Sequence, residues 1–308
     1  MKIVILDRET LGTDVDLSIF DKFGELVIYD ITKENETLDR VKDADIVITN
    51  KVVIDSDIMD NSNLKLICIS ATGMNNVDLV HAKKKNIEVK NVAGYSSSSV
   101  AQVAFSMIFH FANKLNYYKK FVDEGNWQKC EIFTHIDALF HELDGKRVGV
   151  IGLGDIGRNF AKKAKAFDCE VVYYSTSGKN SNSEYERVEL DELLSTSDII
   201  SIHCPLNEDT KDLLNYENMK NIKDGAILLN LGRGGIINEL DLAKIIDEKE
   251  IYCGIDVVSV EPIEESNPLL KVKNKEQLLL TPHIGWASIE ARARLIELVA
   301  KNIEEFIK

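Results

Sequence analysis

The sequence lacks the features that mark membrane-spanning, metal-binding or disulfide-linked proteins. No apolar run approaches the roughly 20 residues needed to cross a bilayer, so we expect no membrane partner. The five cysteines include no C-x-x-C pair, which argues against a zinc site and leaves no bound metal expected. Their odd number and mostly apolar surroundings indicate free thiols, which favour a cytoplasmic location.

Positive charge is also scarce. The 308 residues include 37 Lys and Arg against 51 Asp and Glu, so the formal net charge is −14. A protein this acidic repels the phosphate backbone, and we therefore expect no nucleic-acid partner. It also repels anionic small molecules at long range, so a carboxylate substrate would need a cation inside the site.

Short apolar, β-branched runs alternate with longer amphipathic stretches along the chain. Such runs predict parallel strands covered by helices on both faces of a sheet. The first series is Ile3–Leu6, Leu26–Tyr29, Ile46–Thr49, Leu64–Ile69 and Ile87–Val89. The second is Arg147–Ile151, Val171–Tyr174, Ile199–Ile202, Ala226–Asn230, Gly254–Val258 and Leu278–Leu280. Two series predict two α/β domains.

Two long helices are predicted outside these series. One is a single long helix with N-cap candidates at Ser96–Ser99, and it is expected to end near Gly125. The other covers Ser288 to Lys308 and follows the second series. If it packs back on the first domain, that domain is discontinuous, although the pattern alone does not decide this.

The segment Gly152-Leu153-Gly154-Asp155-Ile156-Gly157 is the strongest local motif. A predicted strand precedes this G-x-G-x-x-G sequence, and a predicted helix over 158–167 follows it. Gly152 permits a tight turn, Gly154 lets a pyrophosphate approach the backbone, and Gly157 lets helix and strand pack closely. Amides at the helix start then bind the anion, so the motif predicts a dinucleotide cofactor.

The end of the next predicted strand leaves the choice of dinucleotide open. An acidic residue usually stands there to bind the ribose 2′-hydroxyl of NAD, but this sequence has Ser175. A hydroxyl group can bond the ribose of NAD, whereas loss of the carboxylate admits the 2′-phosphate of NADP, with Lys179 as counter-charge. No arginine is nearby in the sequence, which favours NAD.

Three polar residues follow predicted strands of the second series, namely Arg233, Glu261 and His283. Ligands of open α/β sheets bind beyond the carboxyl ends of the strands. Each residue alone could belong to an ordinary loop or turn. Together they supply a cation, an acid/base and a group to orient it, and so predict an active site.

These motifs resemble those of the D-isomer-specific 2-hydroxyacid dehydrogenase family over nearly the whole chain. The family implies a Rossmann-type cofactor domain, here 99–286, inserted into a flavodoxin-like discontinuous substrate domain, here 1–98 and 287–308. The crossovers then lie near Ser98 and Trp286, and homodimers form through the cofactor domain. The resemblance rests on Gly152–Gly157, His203-Cys204-Pro205-Leu206 with Thr210, Asn230–Gly234, Asp256–Pro262 and Pro282–Gly285.

The same resemblance implies a role for each site residue. Arg233 binds the substrate carboxylate and polarises the keto oxygen, His283 donates the proton, and Glu261 orients the imidazole. Backbone amides around Thr72 and Gly73 cradle the carboxylate, unless this segment is an ordinary β–α turn. Besides the three glycines, the expected cofactor contacts are Asp155, Ile156, Ser175, His203, Pro205, Thr210 and Asp256.

Several stretches are most similar to bacterial glycerate dehydrogenases, also called hydroxypyruvate reductases. Asn50 and Lys51 close a predicted strand and could bond the C3 hydroxyl of hydroxypyruvate, or Lys51 could simply be solvated. One alternative is a D-lactate or other 2-hydroxyacid dehydrogenase. Another is a non-catalytic NADH-sensing binding protein of the same fold.

Overall fold

The structure, a computed structural model, describes residues 1–179 and 182–308 and divides the chain into two units. Unit 1 comprises Met1–Ser96 and Trp286–Lys308, whereas unit 2 comprises Ser97–Gly285. The chain therefore leaves unit 1 once and returns to it once, beside the crossovers expected near Ser98 and Trp286. The assignment of substrate to one unit and cofactor to the other stays a prediction.

The strands are short and come from the apolar segments of the sequence. Unit 1 contains β1 Lys2–Ile5, β2 Glu25–Ile28, β3 Ile46–Thr49, β4 Leu66–Ile69 and β5 Glu88–Lys90. Unit 2 contains β6 Arg147–Ile151, β7 Glu170–Tyr174, β8 Glu186–Arg187, β9 Ile199–Ile202, β10 Ala226–Asn230, β11 Ile251–Ile255 and β12 Leu278–Leu280.

The helices alternate with these strands. Unit 1 contains α1 Thr37–Val41, α2 Ser56–Asp60, α3 Leu79–Lys84 and the C-terminal α10 Ile289–Ile307. Unit 2 contains α4 Ser97–Asn113, α5 Leu115–Asp123, α6 Asp155–Ala166, α7 Leu190–Thr196, α8 Tyr216–Met219 and α9 Glu239–Glu248. Within the described ranges, no helix is both long enough and apolar enough to cross a membrane.

The sheet of unit 1 is parallel throughout, in the order β2-β1-β3-β4-β5. This is the flavodoxin-like order 2-1-3-4-5. All four residues of β3 are buried, as expected for a strand covered on both faces. One face packs against α10, and the other packs against apolar side chains of α1, α2 and α3.

The sheet of unit 2 is also parallel, in the order β12-β11-β10-β9-β6-β7-β8. Its strand order reverses between β6 and β9, which is the Rossmann arrangement with its ligand crevice at that reversal. Helices α4 and α6 cover one face, while α7, α8 and α9 cover the other. The predicted α/β class, with a Rossmann-type and a flavodoxin-like sheet, is confirmed.

The single helix predicted from Ser96–Ser99 to Gly125 is wrong, because it is two helices. Helix α4 ends at Asn113, and Lys114 has a left-handed φ of 53° before α5 begins. The two helices differ in environment. Many α4 side chains are buried against the sheet, whereas α5, all of which the structure describes, has no buried side chain.

The predicted strand at Gly254–Val258 is displaced by three residues, since β11 covers Ile251–Ile255. Pairing with β10 and β12 fixes this register. The chain then leaves the sheet at Asp256, whose carboxylate accepts hydrogen bonds from a neighbouring loop. Asp256 therefore follows the strand directly, and Glu261 lies further along the loop.

Candidate active site

The glycine-rich turn after β6 has the geometry that a dinucleotide needs. Gly152 has a φ of 91°, and a Cβ there would lie 2.7 Å from the backbone nitrogen of Cys204. A Cβ at Gly157 would lie 2.2 Å from the carbonyl oxygen of Gly152. Gly154 is different, because it begins α6 with open space where a Cβ would point. A pyrophosphate can therefore approach the first amides of α6, which the geometry of a helix leaves without intrahelical acceptors.

Two buried polar atoms beside this turn have no hydrogen-bond partner among the described residues. They are Oγ of Ser175 and Nδ1 of His203. The backbone places both residues at the turn, since Ser175 directly follows β7 and the His203 N–H donates to Ile151 O. Buried polar groups without partners are uncommon in native proteins, and a polar ligand accounts for them. These residues therefore fit a bound dinucleotide.

His203 is neutral in this environment. Burial lowers the pKa of its imidazole to about 3, and Nε2 lies 2.9 Å from Ser201 Oγ. A neutral ring can offer Nδ1 as a donor or an acceptor, depending on its tautomer. His203 is thus suited to hydrogen bonding rather than to binding phosphate by charge.

The other predicted cofactor residues have internal partners. Thr210 is fully buried, and its Oγ1 donates to Pro205 O at 2.7 Å and accepts from Asn207 N at 2.8 Å. These bonds close the turn that follows β9. The Asp155 carboxylate lies 2.6 Å from Arg158 Nη2, and Ile156 packs against the core. Asp155 and Ile156 are therefore placed to contact a cofactor through their backbone amides.

The Arg233 guanidinium pairs with no acidic side chain in the part of the chain that the structure describes. Its Nη1 donates to Gly232 O at 2.8 Å, and among the described residues no carboxylate oxygen lies within 4.0 Å of the guanidinium. The buried Asn230 side chain fixes the loop by donating to Arg233 O and accepting from Gly232 N. A cation held in this way is available to an anionic ligand.

The loops after β10 and β11 approach each other closely. A Cβ on Gly234 would lie 2.0 Å from the carbonyl carbon of Val258, so only glycine fits between the two backbones. This contact brings the Arg233 loop against the loop that carries Glu261. Both loops extend from the carboxyl ends of neighbouring strands of unit 2.

Glu261 and His283 form a hydrogen-bonded pair. Nδ1 of His283 lies 2.7 Å from Oε2 of Glu261, and both side chains are about one-third exposed or less. The Glu261 Oε1 atom also accepts from Val258 N at 3.2 Å. Since Nε2 of His283 has no hydrogen-bond partner in the described parts of the chain, it is the nitrogen that can exchange a proton with a ligand.

Asp256 holds the loop that carries His283. Its buried carboxylate accepts hydrogen bonds from Thr281 Oγ1, Ile284 N and Gly285 N, and its carbonyl oxygen accepts from His283 N. His283 has a φ of 53°, an unfavourable conformation for a non-glycine residue. The structure thus gives Asp256 a positioning role, and its predicted contact with the nicotinamide stays a prediction.

Asn50 and Lys51 lie in unit 1, where the loop after β3 begins. The Asp7 carboxylate, only 5% exposed, accepts hydrogen bonds from the N–H groups of Asn50, Lys51 and Val52. The Asn50 side chain is buried and Lys51 is exposed. Asp7 therefore fixes the backbone of both predicted substrate residues, a contact that no sequence motif indicates.

Thr72 and Gly73 follow β4 in the same unit. Oγ1 of Thr72 donates to Val92 O at 2.9 Å, and its carbonyl oxygen accepts from Asn91 Nδ2 at 2.6 Å. These hydrogen bonds order the loop. Its role in binding the substrate carboxylate stays a prediction. Across the described residues, no group of three His, Cys, Asp or Glu side chains could hold a metal ion.

Comparison with known proteins decides the family. A family model described as the NAD-binding domain of D-isomer-specific 2-hydroxyacid dehydrogenases matches residues 105–285. The chain belongs to this family. The matched residues lie within unit 2, and the resemblance inferred from the motifs is confirmed.

Relatives in the D-2-hydroxyacid dehydrogenase family match the whole chain. A hydroxypyruvate reductase of Blautia hydrogenotrophica is 40% identical over 100% of this chain and 97% of its own. A glycerate dehydrogenase of Methylorubrum extorquens is 33% identical over 99% and 96%. A solved D-lactate dehydrogenase of Aquifex aeolicus, complexed with NAD and lactic acid, is 25% identical with a TM-score of 0.82, covering 100% and 95%.

Arg187 of unit 2 lies where the sequence predicted no arginine. The expectation that no arginine lies near the loop after β7 is wrong, because Arg187 Nη1 donates to Gly178 O at 3.0 Å. Arg187 lies on β8, which pairs with β7. This strand is only two residues long and both are charged, so no apolar run in the sequence predicts it.

Proposed function

We propose that this dehydrogenase interconverts hydroxypyruvate and D-glycerate. The observation that supports a 2-keto acid substrate is the Arg233 guanidinium. It has no acidic partner among the described residues, and its loop packs against the loop of Glu261, the hydrogen-bond partner of His283. An unpaired planar cation and a poised acid/base are the two groups that reduction of a 2-keto acid requires.

Arg233 binds the substrate. Only one of its N–H groups is used by Gly232, so two parallel N–H groups remain to bond a carboxylate, or a carboxylate and the adjacent keto oxygen. Withdrawal of electron density from the keto oxygen makes C2 a better hydride acceptor. The same contact offsets the long-range repulsion that a chain of net charge −14 exerts on an anion.

His283 supplies the proton. When bound, the reduced nicotinamide supplies a hydride to C2. The carbonyl double bond opens as the C2–H bond forms, and Nε2 of His283 gives its proton to the oxygen. Glu261 stays hydrogen-bonded to Nδ1 and stabilises the charged ring before transfer. In the reverse direction His283 takes the hydroxyl proton back.

The cofactor is held by the turn after β6. Gly152, Gly154 and Gly157 shape the backbone, and the amides of Asp155 and Ile156 meet the pyrophosphate. Ser175 and His203 offer the buried polar atoms that have no partner in the described structure. Pro205 and Thr210 form the turn beside them, and Asp256 lies at the end of β11 near the acid/base pair.

Hydroxypyruvate is proposed as the keto acid because of the loop after β3. Asn50 and Lys51 are polar, and Asp7 fixes their backbone, so they can bond the C3 hydroxyl of hydroxypyruvate. Groups that bond a substrate hydroxyl discriminate strongly against analogues without it. The names of two relatives, hydroxypyruvate reductase and glycerate dehydrogenase, support the same choice. Thr72 and Gly73 would bind the carboxylate through backbone amides.

The test is a substrate panel with purified protein and NADH. Hydroxypyruvate, glyoxylate and pyruvate are compared by kcat/KM, and the handedness of the product is determined by chiral chromatography. We expect hydroxypyruvate to exceed pyruvate by about tenfold or more and the product to be D-glycerate. Equal or faster reduction of pyruvate would favour a D-lactate dehydrogenase. Binding of NADH without turnover of any keto acid would favour an NADH-sensing protein.

Lys51→Ala tests the substrate subsite separately. It should lower kcat/KM for hydroxypyruvate and leave the lower value for pyruvate unchanged. Val53→Ala, another exposed position in the same loop, is the matched control. Equal losses with both keto acids would show that Lys51 does not recognise the hydroxyl.

We also propose that the protein forms a homodimer through unit 2. Many large apolar side chains between Leu115 and Phe140 are exposed, including Phe133 at 89% and Leu139 at 75%. Large apolar side chains that are exposed together in one segment often mark an interface. A two-fold symmetric contact covers the same surface on both copies.

Light scattering of full-length variants tests this dimer. Phe133→Asp combined with Leu139→Asp should shift the mass from dimer to monomer. Val80→Asp, which places the same charge on an exposed apolar position of unit 1, should remain dimeric. A wild-type chain that is monomeric at micromolar concentration contradicts the proposal.

A cytoplasmic location is the last part of the proposal. The structure shows all five cysteines unpaired, and four of them are buried. Proteins in oxidising compartments more often carry disulfides. Fractionation of producing cells would place the chain in the cytoplasmic fraction, and recovery in a secreted fraction would contradict this.

A further inference from the structure

We propose that Arg187 and the turn after β7 form a subsite for the 2′-phosphate of an NADP-class dinucleotide. The subsite belongs to the NAD-binding domain, and it does not depend on which keto acid is reduced. Its predicted consequence is that the protein binds NADPH as well as NADH, with Arg187 as the residue that distinguishes the two cofactors.

Strand pairing brings Arg187 to this turn. β8 runs parallel to β7, and Arg187 pairs with Tyr173, two residues before Ser175. The guanidinium reaches along the strand, so that Nη1 donates to Gly178 O at 3.0 Å. Nη2 would lie 3.9 Å from a Cβ at Gly178, which places the planar group against the turn.

The turn occupies the position where dinucleotide domains recognise the adenosine ribose. A carboxylate at this position bonds the ribose hydroxyls and repels a 2′-phosphate, but here the residue is Ser175. Its buried Oγ has no hydrogen-bond partner in the parts of the chain that are described. The turn therefore provides an unpaired hydroxyl and no negative charge at the 2′-position.

The charge of Arg187 is not neutralised by its neighbours. Within the described residues, no carboxylate oxygen lies within 4.0 Å of its guanidinium. Its strand neighbour Glu186 points to the opposite face of β8, because side chains alternate along a strand. The Glu184 carboxylate is engaged by the Tyr185 hydroxyl at 3.1 Å.

A guanidinium that has no carboxylate nearby in the described residues can bind a phosphate. One N–H bonds the Gly178 carbonyl and fixes the orientation of the plane, while the remaining N–H groups can form a two-point contact with phosphate oxygens. Lys179 follows on the same turn, and its N–H bonds Ser177 Oγ. Its side chain adds a second positive charge beside the turn.

The experiment measures binding of cofactor to the full chain by titration calorimetry, without keto acid. Arg187→Gln should weaken NADPH binding by about tenfold or more, since charge-assisted hydrogen bonds to the phosphate are lost. Binding of NADH should change by less than about twofold. Lys223→Gln, which removes one exposed positive charge elsewhere in unit 2, should leave both affinities unchanged.

Competition by fragments identifies the recognised group. Adenosine 2′-monophosphate should displace NADPH from the wild type better than adenosine 5′-monophosphate does, and Arg187→Gln should abolish this difference. The same variant should also reduce the salt dependence of NADPH binding. Inorganic phosphate at equal concentration should displace little, because it lacks the adenosine.

Three results would overturn the proposal. The first is a wild type that binds NADH but not NADPH. The second is an Arg187→Gln variant that weakens both dinucleotides equally. The third is equal competition by the two monophosphates. Because none of these measurements involves turnover, a failed keto acid assay would leave this proposal intact, and failure here would not affect the proposed reaction.

Discussion

Oδ2 of Asp256 accepts a hydrogen bond from the Gly285 N–H at 2.8 Å. Oδ1 of the same carboxylate accepts from Thr281 Oγ1 at 2.5 Å and from Ile284 N at 2.9 Å. Between these contacts lies His283 with its left-handed φ of 53°. One buried carboxylate therefore ties both sides of a strained residue, which fixes the direction of the imidazole.

Asp256→Asn should reduce kcat by roughly tenfold to a hundredfold, since small misplacement of a catalytic group is costly. The Asn side chain keeps one acceptor oxygen, but its NH2 group would face N–H or O–H donors that now bond to the Asp256 carboxylate. The pH dependence of kcat should also change, because His283 is no longer held against Glu261. Thr281→Val, which removes only one of the donors, should have a smaller effect. An Asp256→Asn variant with unchanged kcat and pH profile would refute the positioning role.

His283→Gln should lower kcat by about 10²–10⁴-fold, the usual size of general acid–base catalysis. The turn after β6 is untouched, so affinity for NADH measured by titration should stay within experimental error. His141→Gln at an exposed position of unit 2 is the control. Near-normal turnover in His283→Gln would mean that another group delivers the proton.

Arg233→Lys should lower kcat/KM by about a hundredfold or more, although the charge is kept. An ammonium group cannot make two parallel hydrogen bonds to a carboxylate. Millimolar guanidinium added to Arg233→Ala should restore part of the activity, and the same concentration of ammonium should restore less. If Lys substitutes freely, Arg233 does not bind the substrate in the proposed way.

Stability should depend on His203 in acid. Burial lowers the pKa of its imidazole to about 3 from an ordinary value of 6.5. Between these values the unfolded chain binds a proton that the folded chain does not, so stability falls as the pH drops below about 6.5. The Tm of His203→Asn should therefore fall less than the Tm of the wild type when the pH is lowered from about 6.5 to about 4.5. Parallel Tm curves for the two proteins would contradict this assignment.

Part of the local geometry of the candidate site could be predicted from the sequence. Glycines at 152, 154 and 157 predicted the turn after β6. Their spacing allows a tight turn, an exposed backbone for the pyrophosphate and close packing of helix on strand. Arg233, Glu261 and His283 could be placed near one another because parallel strands bring their carboxyl ends to one edge, and their catalytic roles stay predictions. The structure then pairs Glu261 with His283 directly.

Other features depend on tertiary packing and could not be predicted from local sequence. Lys114 is a good helix former, yet it adopts a left-handed conformation where α4 leaves the sheet. Arg187 follows Ser175 by 12 residues in the sequence, and the pairing of β8 with β7 brings it back beside the turn. Asp7 follows an apolar strand like many solvated acids, and nothing near it in sequence indicates that it binds the loop at Asn50.

The C-terminal helix α10 has a consequence for the order in which the chain can fold. Its Leu295, Val299 and Ile303 are fully buried in the core of unit 1. Domains generally fold as units while the ribosome is still adding residues. Here residues 1–96 emerge before α10 and must wait for it to cover one face of their sheet, while residues 97–285 already contain their own core. A chain stalled before Ile289 would therefore present a folded unit 2 attached to a sheet with one apolar face uncovered, and such a face is prone to bind chaperones and to be cut by proteases.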